Sequence, residues 1–265
     1  MEGKARNHRD YVRHYRFRKK MIHLEQILLL FILLGLWEGA ARIGWLNDFI
    51  FSSPSRIVRC AVDMASDGTL FIHIGTTLLE TVASFLIVTV IGILAAILLW
   101  MFRSLSEVLE PYLVMLNSLP KSALAPVLIV WLGNNTKTII VAAVSVAIFG
   151  SIITLYTSFR EIDPNKIKLI QVLGGNRLQI MTKVLLPGSI PTVISNMKVN
   201  IGLCLVGVII GEFLASKQGL GYLIIYGSQV FKMDWVMMSI VILCIVAMCL
   251  YKLVNILEKL YRKRM

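Results

Sequence analysis

Residues 166–191, KIKLIQVLGGNRLQIMTKVLLPGSIP, form a polar, glycine-interrupted passage set between segments apolar enough for lipid. Just ahead of it, Asp163-Pro164 reads as a helix start: the carboxylate accepts from free N–H groups of the first turn, and proline suits the first helical position. Ile167, Ile170 and Leu173 then recur on one face, while Lys166 and Lys168 point elsewhere. Gly174-Gly175 stops that helix, because glycine tolerates the left-handed geometry of a helix end. Asn176 caps a second helix through Leu186, and Pro187 and Pro191 lead to the next apolar span. The product is two short helices joined at a glycine elbow, with apolar side chains on display. Such a surface suits a groove in a partner protein. An amphipathic helix resting on the inner leaflet is the other reading.

The surroundings of this elbow decide the fold class. The 265 residues are 57% hydrophobic and 16% charged, with a mean hydropathy of +0.76, too apolar for an ordinary soluble domain. A helix needs about 20 residues to cross a hydrocarbon core. The runs 81–102 and 138–159 meet that length clearly, 235–251 does so with its flanks, and 26–45 does so once Glu38 and Arg42 are accommodated. Those two stand one helical turn apart and can pair near an interface. Two less regular spans are 112–133, interrupted by Lys121, Pro120 and Pro126, and 190–215, which carries Lys198. The expectation is an all-α, polytopic membrane helix bundle of about six transmembrane helices. Along the chain it divides into a basic tail (1–23), a first transmembrane helix (24–45), an outer connection (46–70), a core (71–254) that includes the polar segment 160–187, and a second basic tail (255–265).

Lysine and arginine fix the expected orientation, since short loops rich in them stay on the cytoplasmic side. With the N-terminus inside, cytoplasmic segments hold 19 of the 27 basic residues and outer segments hold 6. Both termini and the elbow are therefore expected in the cytoplasm of a multi-pass cell-membrane protein. The net charge of +12 follows from this flanking pattern, and with no soluble domain to carry a groove, no nucleic-acid partner is expected. The tail RNHRDYVRHYRFRKK reads as a juxtamembrane stretch drawn to anionic membrane lipid, with a specific partner site as the other reading. It is long for the basic region of a signal peptide, and Glu38 sits at the wrong place for one, so the first helix is expected to be retained.

Several residues stand out within or beside the spans. Ser53-Pro54 marks the start of a short outer helix, and Gly75 the start of the first long span, with Glu80 at its edge. Pro111, Pro120 and Pro126 free backbone carbonyls that need partners, so their region is either pathway lining or a set of tolerated kinks. Lys121 stands about ten residues past Pro111, roughly 15 Å by helical rise, so its ammonium either faces water or a partner at membrane depth or snorkels to an interface. Lys198 poses the same question, and Gly207 and Gly211 after it form a small-xxx-small pattern that favours helix packing over ligand contact. Glu212 is either a structural hydrogen-bond anchor or part of an outer gate. Cys60, Cys204, Cys244 and Cys249 lack metal or redox spacing and read as free thiols, so no metal site is expected.

These motifs resemble a known family, the integral membrane permease subunits of binding-protein-dependent ABC importers. Their cytoplasmic signature runs roughly E-A-A-x-x-x-G, then about nine residues, then L-P, and Gly174, Leu186 and Pro187 match it in order and spacing. The wider resemblance is to the nitrate, sulfonate, taurine and bicarbonate branch. It rests on FSSPSRI at 51–57, LPKSALAPVLIVWLG at 119–133, LGGNRLQIMTKVLLPGSIP at 173–191 and GEFLASKQGLGYLI at 211–224. The sequence departs from the family in carrying Lys168-Leu169-Ile170 where Glu-Ala-Ala is usual, and Glu80 where a basic residue is frequent.

The resemblance implies a type I ABC importer permease fold and an import mechanism. Two copies, in a homodimer, would enclose a central path. The elbow, through Lys168, Leu169, Ile170, Leu173, Gly174, Gly175, Leu186 and Pro187, would dock into cytoplasmic ABC ATPase subunits, and an external solute-binding protein would deliver the solute. Pro120, Lys121, Pro126, Lys198 and Glu212 are the candidate pathway or gate residues. Closure of the ATPase dimer on ATP would turn the path outward and hydrolysis would reset it.

No G-x-x-x-x-G-K-[ST] occurs in the sequence, so ATP energy would come from a partner; no catalytic residue and no cofactor are expected in this chain. A stand-alone secondary transporter or channel would call for inverted repeats and an intramembrane carboxylate or histidine relay, and an intramembrane enzyme for a grouping such as H-E-x-x-H. The four histidines lie outside the clear spans. Substrate choice is expected to rest largely with the binding protein, the candidates being a sulfonate-, nitrate- or taurine-like solute or a vitamin precursor.

Overall fold

The computed structural model describes residues 8–262, and every regular element among them is helical. In chain order the helices are α1 (His8–Arg42), α2 (Asp48–Phe51), α3 (Pro54–Ser66), α4 (Thr69–Met101), α5 (Arg103–Ser118), α6 (Lys121–Leu132), α7 (Thr136–Arg160), α8 (Pro164–Val172), α9 (Arg177–Ile180), α10 (Leu186–Ala215), α11 (Leu220–Gln229) and α12 (Met233–Arg262). A π-helical turn over Met181–Leu185 joins α9 to α10. Five stretches are long and apolar enough to cross a membrane singly: 24–42, α4, α7, the continuous 177–215 and 233–260. The pair α5–α6, bent by 96°, brings the number to six when taken as one broken span. The all-α bundle of about six crossings expected from hydropathy is the one observed.

The bundle is built on α7, which packs along both α10 and α4. Lipid tails remove the hydrophobic incentive for helices to associate, so close packing and interhelical hydrogen bonds hold them together. Small residues supply the closeness: a Cβ at Gly211 would lie 3.1 Å from the Cα of Ile139, and one at Gly92 2.9 Å from Ser151 Oγ. Polar clamps supply the bonds. Buried Asn196 and Asn200 on α10 both donate from Nδ2 to Ser151 Oγ on α7, at 2.7 and 2.9 Å. Left unpaired in hydrocarbon, each amide would cost on the order of several kcal/mol.

The first helix is fastened at one end. Glu38 and Arg42 pair at 2.9 Å as their spacing suggested, and Glu38 also accepts from the N–H and hydroxyl of Ser55, at 3.0 and 2.9 Å. It thereby caps α3, a duty that the sequence pointed to Ser53 for; Ser53 is extended ahead of Pro54 but makes no cap bond. Asp234 at the start of α12 holds the same helix from the other side, accepting from Ser52 at 2.6 Å and Arg56 at 2.8 Å.

Three boundaries differ from the sequence reading. The first long span begins at Thr69, because Asp67 accepts the N–H and hydroxyl of Thr69 at 2.9 and 2.6 Å and so satisfies the opening turn early. Glu80 consequently lies inside α4, fully buried, instead of at a span edge, and His73 also falls within this helix. The second difference is that the span 112–133 is broken: Leu119, preceding Pro120, is extended (φ −64°, ψ 138°), the conformation a following proline imposes. Third, the helix after the elbow does not stop at Leu186 but continues to Ala215. The π-helical turn, with the Leu186 N–H bonded to the Met181 carbonyl, re-registers the ladder just before Pro187, which has no N–H to donate. Of the two basic tails, residues 1–7 and 263–265 lie outside the described residues, and the remainder continues α1 and α12.

Candidate functional site

The elbow is assembled by local bonds that the sequence spells out. Asp163 Oδ1 accepts the Asn165 N–H at 2.9 Å and opens α8. Gly174 takes a positive φ of 79° and donates its N–H to the Gln171 carbonyl at 3.0 Å; Gly175 donates to the Ile170 carbonyl at 2.8 Å. A Cβ on Gly175 would lie 2.8 Å from that carbonyl oxygen, so the turn also needs its second glycine. Asn176 and Gln179 then form a reciprocal capping box, with bonds of 2.8 and 2.9 Å. Arg177 donates to the Met101 carbonyl at 2.8 Å and ties the turn to the end of α4.

The two faces of the elbow have different fates. Ile167 and Gln171 turn inward over a cavity of about 470 Å³ that Trp100, Arg103, Glu110 and Arg160 also line; Arg160 stands 3.8 Å from Glu110 across it. Ile170 is half-buried against Gly175. The exposed apolar stripe is therefore not the expected Ile167–Ile170–Leu173 row but Leu169, Val172 (85% exposed), Leu173 (73%) and, across the turn, Leu178. Val172 and Leu178 escaped the sequence reading, although 169, 172 and 173 already show i, i+3, i+4 spacing. Lys168 and Gly174 are exposed beside the stripe; Leu186 is half-buried and Pro187 exposed at the foot of α10.

The candidate pathway residues are dispersed. Pro120 stands at the bend between α5 and α6 and Pro126 within α6. Lys121 donates to the Leu116 and Asn117 carbonyls, so its ammonium closes the C-terminal end of α5, and it lies 5.3 Å from the centroid of the Phe149 ring. Lys198 pairs with Glu258, donates to Asn255 at 3.3 Å and lies 5.9 Å from the Tyr251 ring, all on α12. Glu212 is buried where α4, α10 and α11 meet: it accepts from the Thr77 hydroxyl at 2.6 Å and the Gly221 N–H at 2.5 Å. Gly219, at φ 115°, leaves out the Cβ that the Glu212 carboxylate would otherwise strike. These residues share no bonding partner. Thr77 and His73, which receive the Leu220 and Gly219 N–H groups at 2.9 and 3.0 Å, were not singled out by sequence. Among the described residues no cluster of three metal-ligating side chains occurs, and the four cysteines are free thiols.

The long membrane helices, the elbow and the buried junction under Glu212 lie largely within residues 88–265. That stretch matches the family model described as the inner membrane component of binding-protein-dependent transport systems. The chain belongs to this family. Similar curated members include a probable ABC transporter permease of Haemophilus influenzae, 29% identical over 86% of this chain and 92% of its own length. A putative aliphatic sulfonates transport permease of Bacillus subtilis is 24% identical over 91% and 88%. A formylaminopyrimidine transport permease of Halalkalibacterium halodurans is 26% identical over 75% and 79%. The resemblance to the importer permeases and their sulfonate branch, read from the motifs, is borne out by the family match and these members. Solved structures share the fold: the inward-facing MetNI methionine ABC transporter (TM-score 0.63, 19% identity, 72% of this chain and 95% of that one) and a bacterial alginate ABC transporter (0.65, 16%, 93% and 98%). The fold is that of the type I ABC importer permeases.

Proposed function

We propose that this chain is a permease subunit that pairs with a second copy of itself to enclose the import path for a small solute, and that its α8–α9 elbow is the mechanical link to cytoplasmic ATPase subunits. The observation that carries this reading is the Leu169–Val172–Leu173–Leu178 stripe, exposed on an elbow whose turn is fixed by two glycines and a capping box. Four apolar side chains held rigidly at one end of the bundle suit a protein groove, which gains most from a pre-organised partner. The lysine and arginine asymmetry supports placing that end, and both termini, in the cytoplasm. ATP-driven closure of the ATPase pair then draws the elbows together and opens the path outward to a solute-binding protein, and hydrolysis resets it.

The solute is sulfonate-, nitrate- or taurine-like or a vitamin precursor, a range within which relatives named for aliphatic sulfonate and formylaminopyrimidine transport fall. Lys121 and Lys198 give no reason to prefer the anion, since helix carbonyls and Glu258 already engage their ammonium groups. Selection then rests with the binding protein, whose ligand calorimetry would identify. Reconstitution tests the whole reading: proteoliposomes holding this chain with its ATPase and binding protein should take up solute only with ATP, and the purified chain alone should hydrolyse none. Uptake by the chain alone, down a gradient and without ATP, would establish a stand-alone carrier or channel instead.

A further inference from the structure

The cavity of about 470 Å³ under the elbow is walled by the ends of α4 and α7, the start of α5 and residues of α8 and α9. It gathers charges of both signs, from Arg103, Arg160 and Arg177 and from Glu107 and Glu110. Two of the arginines are engaged: Arg103 Nε donates to Glu107 at 2.9 Å, one turn along α5, and Arg177 Nη1 donates to the Met101 carbonyl at 2.8 Å. Arg160 and Glu110 differ. They stand 3.8 Å apart, beyond hydrogen-bond distance, with more than half of each side chain exposed. A stretched, solvated pair of this kind contributes little to stability. A ligand can enter it, if it brings an anion for the guanidinium and a cation for the carboxylate.

The position of the cavity says what carries those charges. It lies where α4 and α7, both long and apolar enough to cross a membrane, end beside the elbow, which is the depth of the lipid headgroups. Trp100, half-buried in its wall, is a residue type that favours that depth. Phe102 and Leu109, next in sequence to Arg103 and Glu110, are 55% and 38% exposed and give the mouth an apolar border. Acyl chains would cover that border. A soluble zwitterion would leave it bare.

We propose that this cavity is a binding site for a zwitterionic phospholipid headgroup that joins a phosphodiester to a primary ammonium, the phosphate held by Arg160 and the ammonium by Glu110. The planar guanidinium fork suits two phosphate oxygens at once. An ammonium with three N–H groups can donate to a carboxylate, whereas a choline headgroup has no N–H and a glycerol headgroup has no positive charge. Gln171 and Arg177 line the cavity from the elbow side, and Arg160 and Glu110 from the bundle, so an occupied site ties the elbow to α5 and α7. The inference rests on the reading that places the elbow at the inner membrane surface, and it does not depend on what docks against the exposed stripe.

The test titrates the purified full-length chain in detergent with phosphatidylethanolamine, phosphatidylcholine and phosphatidylglycerol of matched acyl chains, and reads retained lipid by native mass spectrometry. Phosphatidylethanolamine should bind at least about fivefold more tightly than either of the others, the worth of about one charge-assisted hydrogen bond at a partly exposed site. Glu110→Gln should abolish its advantage over phosphatidylcholine, and Arg160→Gln should weaken both lipids about fivefold. Both side chains are largely exposed, so neither change threatens the fold. Equal binding of the three lipids, a preference that survives Glu110→Gln, or displacement of the lipid by an equal concentration of water-soluble phosphoethanolamine would overturn the proposal, the last by assigning the cavity to a soluble ligand. No ATPase is present in this assay, so its failure leaves the docking role of the elbow untouched.

Discussion

Gly207 of α10 lies so close to α7 that a Cβ there would stand 2.6 Å from the Cα of Ala143. Backbone cannot retreat as a flexible side chain can, so the contact tolerates hydrogen and nothing larger. Gly207→Leu should separate the two helices that form the middle of the bundle and destabilise the protein by about 1–3 kcal/mol. Thermal unfolding in detergent reads this directly. Gly202, with open space where its Cβ would go, is the control: Gly202→Ala should leave the transition within about 0.5 kcal/mol of wild type.

Lys198 and Glu258, about four-fifths and three-quarters buried, clasp α10 to α12. Removing the ammonium alone, as in Lys198→Met, takes one partner from a largely buried carboxylate and should cost about 1–3 kcal/mol, below the ~3–5 kcal/mol of a fully buried pair. The double variant Lys198→Met, Glu258→Leu should lose less than the single one. Neither should change the solute concentration giving half-maximal uptake, whereas a lysine lining the path would change it.

Gly174 adopts φ 79°, a conformation that costs a β-branched residue about 1–2 kcal/mol or more. Gly174→Val should therefore deform the elbow and reduce ATP-dependent uptake at least about tenfold, while the amount of chain in the membrane stays the same. Strain of about 1–2 kcal/mol brackets the ~1.4 kcal/mol of a tenfold change, and displacement of the docking surface adds to it. Uptake assays normalised to membrane-inserted protein separate the two effects.

The elbow was legible because the bonds that shape its turn are local: those of Asp163, Gly174, Gly175, Asn176 and Gln179 each join residues no more than five apart. The same holds for the Gly207/Gly211 pair and for Glu38 with Arg42. Periodicity misjudged the exposed stripe because the inward turn of Ile167 depends on a cavity wall contributed by α4, α5 and α7. Glu80 looked like a span-edge residue because its burial depends on helices distant in sequence: one turn away on α4, the Thr77–Glu212 bond joins positions 135 residues apart. Lys198 finds its carboxylate 60 residues away, and Pro120 announced a break without its 96° angle. The start of α4 was within reach of sequence reasoning, since Asp67 and Thr69 are two residues apart.

The link between the elbow and an ATPase can be measured by placing a photo-cross-linking residue at Val172, the most exposed position of the stripe, and irradiating membranes in which the chain and its ATPase are made together. The expected product is a covalent adduct between this chain and the ATPase subunit, absent when the probe replaces Val130 on the exposed face of α6. Adducts to lipid alone from position 172, with the ATPase present and none attached to it, would contradict the docking role of the elbow.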